Sequence, residues 1–263
     1  MPALWQIGLG VGGLFAVGAG FIWLADVVSL RLLFLRFPAN YELTPDYFYL
    51  TADDGVKLAA RYWPNPAADY TVLFLHGQGE DLGTVSEYLP LYQAAGFAVM
   101  SFDYRGYGRS GGTSTESSTY ADADCAIAWL KATHATPPER VIVIGFSLGS
   151  GPAVEMAVRH RLAGVVLIAP FASAYRVKTR WPLVPGDKFQ NANKAARLRC
   201  PLLLVHGTED RTVPRWHGET IFAAAPEPKM KLIVEGGYHS NVIEVAAESY
   251  WETLRAFVAK LSR

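Results

Sequence analysis

The chain has 263 residues, with 24 Lys+Arg balancing 24 Asp+Glu, 51% hydrophobic residues and 18% charged. A net charge of zero argues against a nucleic-acid binder, which carries a basic excess on one face, and the apolar fraction excludes a disordered chain. Two cysteines, Cys125 and Cys200, are too few for a disulfide scaffold, and no Cys/His group has the spacing of a zinc site.

No charged side chain precedes Asp26. As a helix, residues 3–25 would be about 35 Å long, enough for a hydrocarbon layer of about 30 Å. Trp5 and Trp23 sit near its ends, where aromatic belts lie. A secretory signal peptide would show Lys or Arg ahead of a shorter apolar stretch. The expectation is a single-pass membrane protein: an anchor within residues 1–35, a linker over 36–45 and a catalytic domain over 46–263. Gly8, Gly12, Ala16 and Gly20 recur every fourth residue, a pattern that lets two spans pair, although glycine is common in spans. Arg31 and Arg36 follow the span and point the domain to the cytoplasm, offset by Asp26.

Two strands, Tyr47–Thr51 and Lys57–Trp63, flank the turn Asp53-Asp54-Gly55. Buried apolar runs then recur at Thr71–His76, Phe97–Phe102, Val141–Ile144, Val165–Ala169, Leu202–Val205 and Lys231–Val234. Between or after them, helical patterns cover Val85–Ala95, Tyr120–Lys131, Leu148–Arg159, Trp216–Ala224 and Glu244–Leu261. Short apolar runs alternating with helices predict a mostly parallel α/β sheet, eight-stranded here, covered on both faces. In such sheets the working site lies beyond the carboxyl ends of the strands.

At one such end stands Gly145-Phe146-Ser147-Leu148-Gly149, followed by a helix. A serine on a strand-to-helix turn is held in a strained backbone, and flanking glycines relieve the crowding. G-x-S-x-G is common by chance; the strand–turn–helix setting makes it specific. Serine needs a base, and the base an orienting acid. Of the histidines 76, 134, 160, 206, 217 and 239, only His239 follows the last strand, in a glycine-rich loop. His134 and His160 lie at helix ends, His217 begins a helix, and His76 and His206 close strands, where loop support suffices. Asp210, after Leu202–Val205, is the candidate acid, with Glu209 its rival and Asp187 and Glu235 more distant ones. An oxyanion needs preplaced N–H donors. Leu148 supplies one, and Gln78 in the loop His76-Gly77-Gln78-Gly79 is the better placed candidate for the other.

Gly106-x-Gly108-x-x-Gly111 matches a dinucleotide fingerprint, but no helix opens on its third glycine; Gly8-x-Gly10-x-x-Gly13 falls within the apolar span. Neither is read as a nucleotide site, and no metal or organic cofactor is called for.

These motifs, in this order, resemble the α/β-hydrolase superfamily from about residue 46 onward. Tyr70–Gly77, Asp103–Gly108 and His206–Asp210 are similar to segments of the membrane-anchored α/β-hydrolase-domain proteins that include protein depalmitoylases. The stretch His76–Glu80 also resembles monoacylglycerol lipases. The resemblance implies Ser147 as nucleophile, His239 as base and Asp210 as its orienting acid. Depalmitoylases usually carry an acylated N-terminal cysteine cluster, where this chain has an apolar span.

The stretch between the strands at 165–169 and 202–205 is the place for a lid in this fold, here a short one over about 171–199. Phe171, Tyr175, Trp181, Pro182, Leu183 and Val184 are apolar enough to wall an acyl pocket, touch a bilayer surface or pack locally over the sheet edge. The expected activity is hydrolysis of carboxylic esters or acyl thioesters, borne by a lipid or a lipidated protein. A serine aminopeptidase or amidase, and a silent membrane-tethered interaction module, are the competing readings.

Overall fold

The computed structural model describes residues 31, 33–180 and 186–261. β1 (Tyr47–Thr51) and β2 (Lys57–Trp63) form an antiparallel hairpin with Tyr47 opposite Arg61 and Thr51 opposite Lys57. Gly55, at φ 83°, turns the chain between them in the left-handed region that side chains disfavour. The remaining strands are β3 (Thr71–Leu75), β4 (Ala98–Phe102), β5 (Val141–Phe146), β6 (Gly164–Ile168), β7 (Leu202–Gly207) and β8 (Lys229–Val234). The sheet order is β1-β2-β4-β3-β5-β6-β7-β8; β2 meets β4 antiparallel and all later pairings are parallel.

Strands β3, β4 and β6 are buried along their whole length, because helices cover both faces. Side-chain alternation assigns the faces. Leu73 and Leu75 point into a cluster with α3 (Glu116–His134), α4 (Ser150–Arg159), α5 (Asn191–Ala195) and α6 (Trp216–Ala224). Val72 and Phe74 point into a second cluster with α1 (Leu82–Val85), α2 (Leu89–Ala94), α7 (Val242–Ala246) and α8 (Glu248–Val258).

Three helices differ from the expected spans, each for a local reason. The run Val85–Ala95 is two helices: Asp81 caps α1 by accepting from Thr84 N–H, and Pro90 stands in the first turn of α2, where a missing N–H costs nothing. α3 starts four residues earlier than Tyr120, since Thr115 and Ser118 exchange side-chain and backbone hydrogen bonds as a capping box. The closing helix breaks at Ala247, whose φ of 47° cannot continue a right-handed helix.

Among the described residues no helix is long and apolar enough to cross a membrane. The expected single-pass membrane protein with a cytoplasmic domain is therefore withdrawn. The stretch on which it rested, residues 3–25 with Trp5, Trp23 and the Gly8–Gly20 face, lies outside the described residues. The segment expected as a linker is tied to the domain at its middle: Asn40 N–H donates to Asp81 Oδ2 at 3.0 Å, and Tyr41 O–H to Asp103 Oδ2 at 2.5 Å.

Candidate active site

β5 ends in a turn, Ser147–Gly149, that leads straight into α4. Ser147 has φ 49°, a conformation that a side chain adopts only under compulsion. The compulsion comes from packing on either side. A Cβ on Gly145 would lie 2.5 Å from the Gly149 carbonyl oxygen and 2.7 Å from Ala153 Cβ. One on Gly149 would lie 1.9 Å from the Leu75 carbonyl oxygen. The two glycines let the serine turn, the helix behind it and the end of β3 approach this closely.

Ser147 Oγ lies 2.8 Å from Nε2 of His239, and Nδ1 of His239 lies 2.7 Å from Oδ2 of Asp210. The carboxylate only accepts, so Nδ1 carries the proton and Nε2 is left to accept from the serine hydroxyl. Three chain segments make this line: the turn after β5, the loop after β7 and the loop after β8. Asp210 is buried, and its Oδ1 accepts from the N–H groups of Thr212 (3.0 Å) and Val213 (2.8 Å). Burial alone would raise the Asp210 pKa; hydrogen bonds from His206 and His239 outweigh it and hold the carboxyl well below its ordinary range. The group stays an anion. Such a line can draw the proton from a serine hydroxyl and keep the resulting imidazolium in register.

Of the rival acids, Glu209 lies near Arg211, Asp187 accepts from Tyr175 N–H, and Glu235 is exposed. The other histidines have tasks of their own. His134 lies against Tyr62 and Trp129, and His160 pairs with Asp124 at 2.7 Å. His217 differs from the surface residue that its position suggests: it is fully buried, stacks on Trp216 and accepts from Ala172 N–H at 3.1 Å. Burial, Arg176 and His206 lower its pKa to about 4, so it is neutral.

The expected oxyanion residues stand on two loops that touch, through Gly149 and the carbonyls of Leu75 and His76. Leu148 is the middle residue of the serine turn. Gln78 lies in the loop after β3, which is braced from several directions. Gly77 N–H donates to Glu80 Oε2 at 2.6 Å, Tyr88 O–H to Glu80 Oε1 at 3.3 Å, and Tyr104 O–H to the His76 carbonyl at 3.0 Å. The Gln78 side chain donates to the Leu33 carbonyl at 2.7 Å.

Two residues of this neighbourhood have a larger part than their sequence positions suggest. His206 donates Nε2–H to the Val213 carbonyl at 2.8 Å, and the same atom lies 3.4 Å from Asp210 Oδ2. The spacing of four residues between a strand-end histidine and the candidate acid was the available signal. Phe189, fully buried at φ 48°, wedges the insertion after β6 against α4; no sequence signal marks it. Of the apolar insertion residues, Phe171 is buried and Tyr175 half-buried, while 181–185 lie outside the described residues.

Residues 66–192 match the family model described as serine aminopeptidase, S33. The α/β-hydrolase domain-containing protein 17B of Xenopus laevis is 38% identical over 200 residues, which span 74% of this chain and 68% of that protein. Its counterpart from Homo sapiens is 37% identical over 201 residues, with the same coverage. The chain belongs to the α/β-hydrolase domain-containing protein 17 family. As a member of that family it is a hydrolase. An esterase from Pyrococcus furiosus superposes with a TM-score of 0.71 at 22% identity, covering 87% of this chain and 98% of that one. The esterase domain of a Rhodothermus marinus protein superposes at 0.64 and 22% identity, covering 82% and 98%. At that identity these two likenesses establish the α/β-hydrolase fold.

Proposed function

We propose that this hydrolase cleaves carboxylic ester or acyl-thioester bonds through an acyl-enzyme, with Ser147 as nucleophile, His239 as general base and Asp210 as the acid that orients it. The observation that carries the reading is the continuous line Asp210–His239–Ser147, at 2.7 and 2.8 Å. Ser147 Oγ attacks the acyl carbon while His239 Nε2 takes its proton. The developing oxyanion accepts from the N–H groups of Leu148 and Gln78, each donor contributing on the order of 10²–10³ in rate. The imidazolium then protonates the departing alcohol or thiol, and water, deprotonated by His239, releases the acid. The substrate is an acyl group on a lipid or a lipidated protein.

Labelling with a fluorophosphonate probe tests the reading. Wild type should label and Ser147→Ala should not, and esters and thioesters of rising chain length should then turn over. A folded wild type that neither labels nor turns over any ester would refute it. The description of the matching family model favours one other reading, an aminopeptidase. Faster turnover of aminoacyl p-nitroanilides than of p-nitrophenyl esters would select it.

A further inference from the structure

We infer that the segment before the hairpin completes the acyl side of the site, and that Phe34 sets the length of acyl chain accepted. The inference rests on the ester and thioester reading above. The segment is attached to the catalytic loops themselves. The carbonyl of Leu33 accepts the 2.7 Å hydrogen bond from the side chain of Gln78, the expected oxyanion residue. Phe37 reaches Gly79, on which a Cβ would stand 3.1 Å from the Phe37 ring. Further along, Asn40 and Tyr41 are fastened to Asp81 and Asp103.

Between those ties Phe34 turns inward, 5% exposed, while its neighbours Leu35 and Phe37 are 43% and 59% exposed. Its ring meets Phe189 edge-on, with centroids 6.1 Å apart. Phe189 in turn lies on the first turn of α4, since a Cβ on Gly151 would be 2.3 Å from its ring. Gly151 is four residues beyond Ser147. Phe34 is thus one ring away from the nucleophile helix and one residue away from the carbonyl that Gln78 holds. Phe171 and Tyr120 meet the other edges of Phe189, at 6.0 and 5.6 Å.

This aromatic group packs on the first turn of α4, four residues beyond Ser147, and is the apolar wall along which the acyl chain lies in this proposal. Its members differ in how firmly they are held. Phe189 is fixed by its left-handed backbone and by the 2.9 Å bond from its N–H to Glu116 Oε1. Phe171 follows β6 and Tyr120 is part of α3. Phe34 alone of the four comes from outside the sheet-and-helix body, so changing its size alters the wall without disturbing the elements that hold the triad. One methylene more or less against an apolar wall changes turnover by about tenfold or more, so a change in the size of Phe34 reads out as a change in chain-length preference.

The test is kcat/KM for p-nitrophenyl esters from acetyl to palmitoyl on wild type, Phe34→Ala and Phe34→Trp, with fluorophosphonate labelling of each. Phe34→Ala should raise the ratio of long-chain to butyryl turnover by about tenfold, and Phe34→Trp should lower it. Phe34→Leu, which keeps most of the buried volume, replaces the alanine variant should that one fail to fold, and should shift the ratio in the same direction. Variants that label normally and keep the wild-type profile would overturn the inference while leaving the serine hydrolase reading intact. A wild type that neither labels nor hydrolyses any ester would overturn that reading and this inference with it.

Discussion

Nε2 of the fully buried His206 lies 3.4 Å from Oδ2 of Asp210, the same oxygen that receives the 2.7 Å hydrogen bond from His239. Because that nitrogen also faces the Val213 carbonyl, it carries a proton and shares it between two acceptors. His206 therefore braces the carboxylate that accepts from His239. His206→Ala should lower kcat for an ester about tenfold with little change in KM, and His206→Gln, which retains a donor, should recover part of the loss. Steady-state rates on p-nitrophenyl butyrate decide it.

Asp210→Asn asks more of the site. An amide that turns its NH₂ group toward His239 Nδ1 favours the tautomer with the proton on Nε2, which can no longer accept from Ser147. Turnover should fall by about 10³–10⁴, and fluorophosphonate labelling should slow in proportion. The variant should fold, since Oδ1 of the side chain can still accept from the N–H groups of Thr212 and Val213.

The strands were legible because β3, β4 and β6 are buried on both faces and so read as unbroken apolar runs. The candidate site was legible where a residue's place at a strand end singles it out, as with Ser147 after β5. Contacts between remote segments were not. Gln78 meets Leu33 across 45 residues, and Phe34 meets Phe189 across most of the chain. Neither pair leaves a spacing to read. The start of α3 fell in a Ser/Thr-rich stretch, 113–119, that composition assigns to a loop, although Thr115 and Ser118 carry the capping signal. The break at Ala247 has no glycine or proline to announce it.

The closeness of the serine turn to β3 makes its own prediction. Gly149→Ala would put a methyl group 1.9 Å from the Leu75 carbonyl oxygen, an atom fixed in the sheet. Backbone must move, so the variant should lose roughly 3 kcal/mol or more of stability and its serine should label poorly even where it folds. Gly55→Ala meets open space but keeps φ at 83°. It should cost about 1–2 kcal/mol and leave labelling unchanged. Urea midpoints for the pair separate the steric cost from the conformational one.

Asp103 and Asp210 should pull stability in opposite directions with pH. Burial raises the Asp103 pKa to about 6, although Tyr41 O–H and the N–H groups of Arg109 and Leu82 all donate to it. The folded state binds that proton more tightly than the unfolded chain does. Its contribution is fully present below the ordinary carboxylate value of 3.8 and is lost as pH rises through about 6, amounting to about 3 kcal/mol. Asp210, held below the ordinary range, contributes above 3.8 and is lost on acidification. Asp103→Asn should therefore be less stable than wild type at pH 5, where an amide NH₂ among three donors is the poorer partner, and should close the gap by pH 7.5. Denaturation curves at the two pH values measure this; a gap that stays constant would show that Asp103 does not titrate in that window.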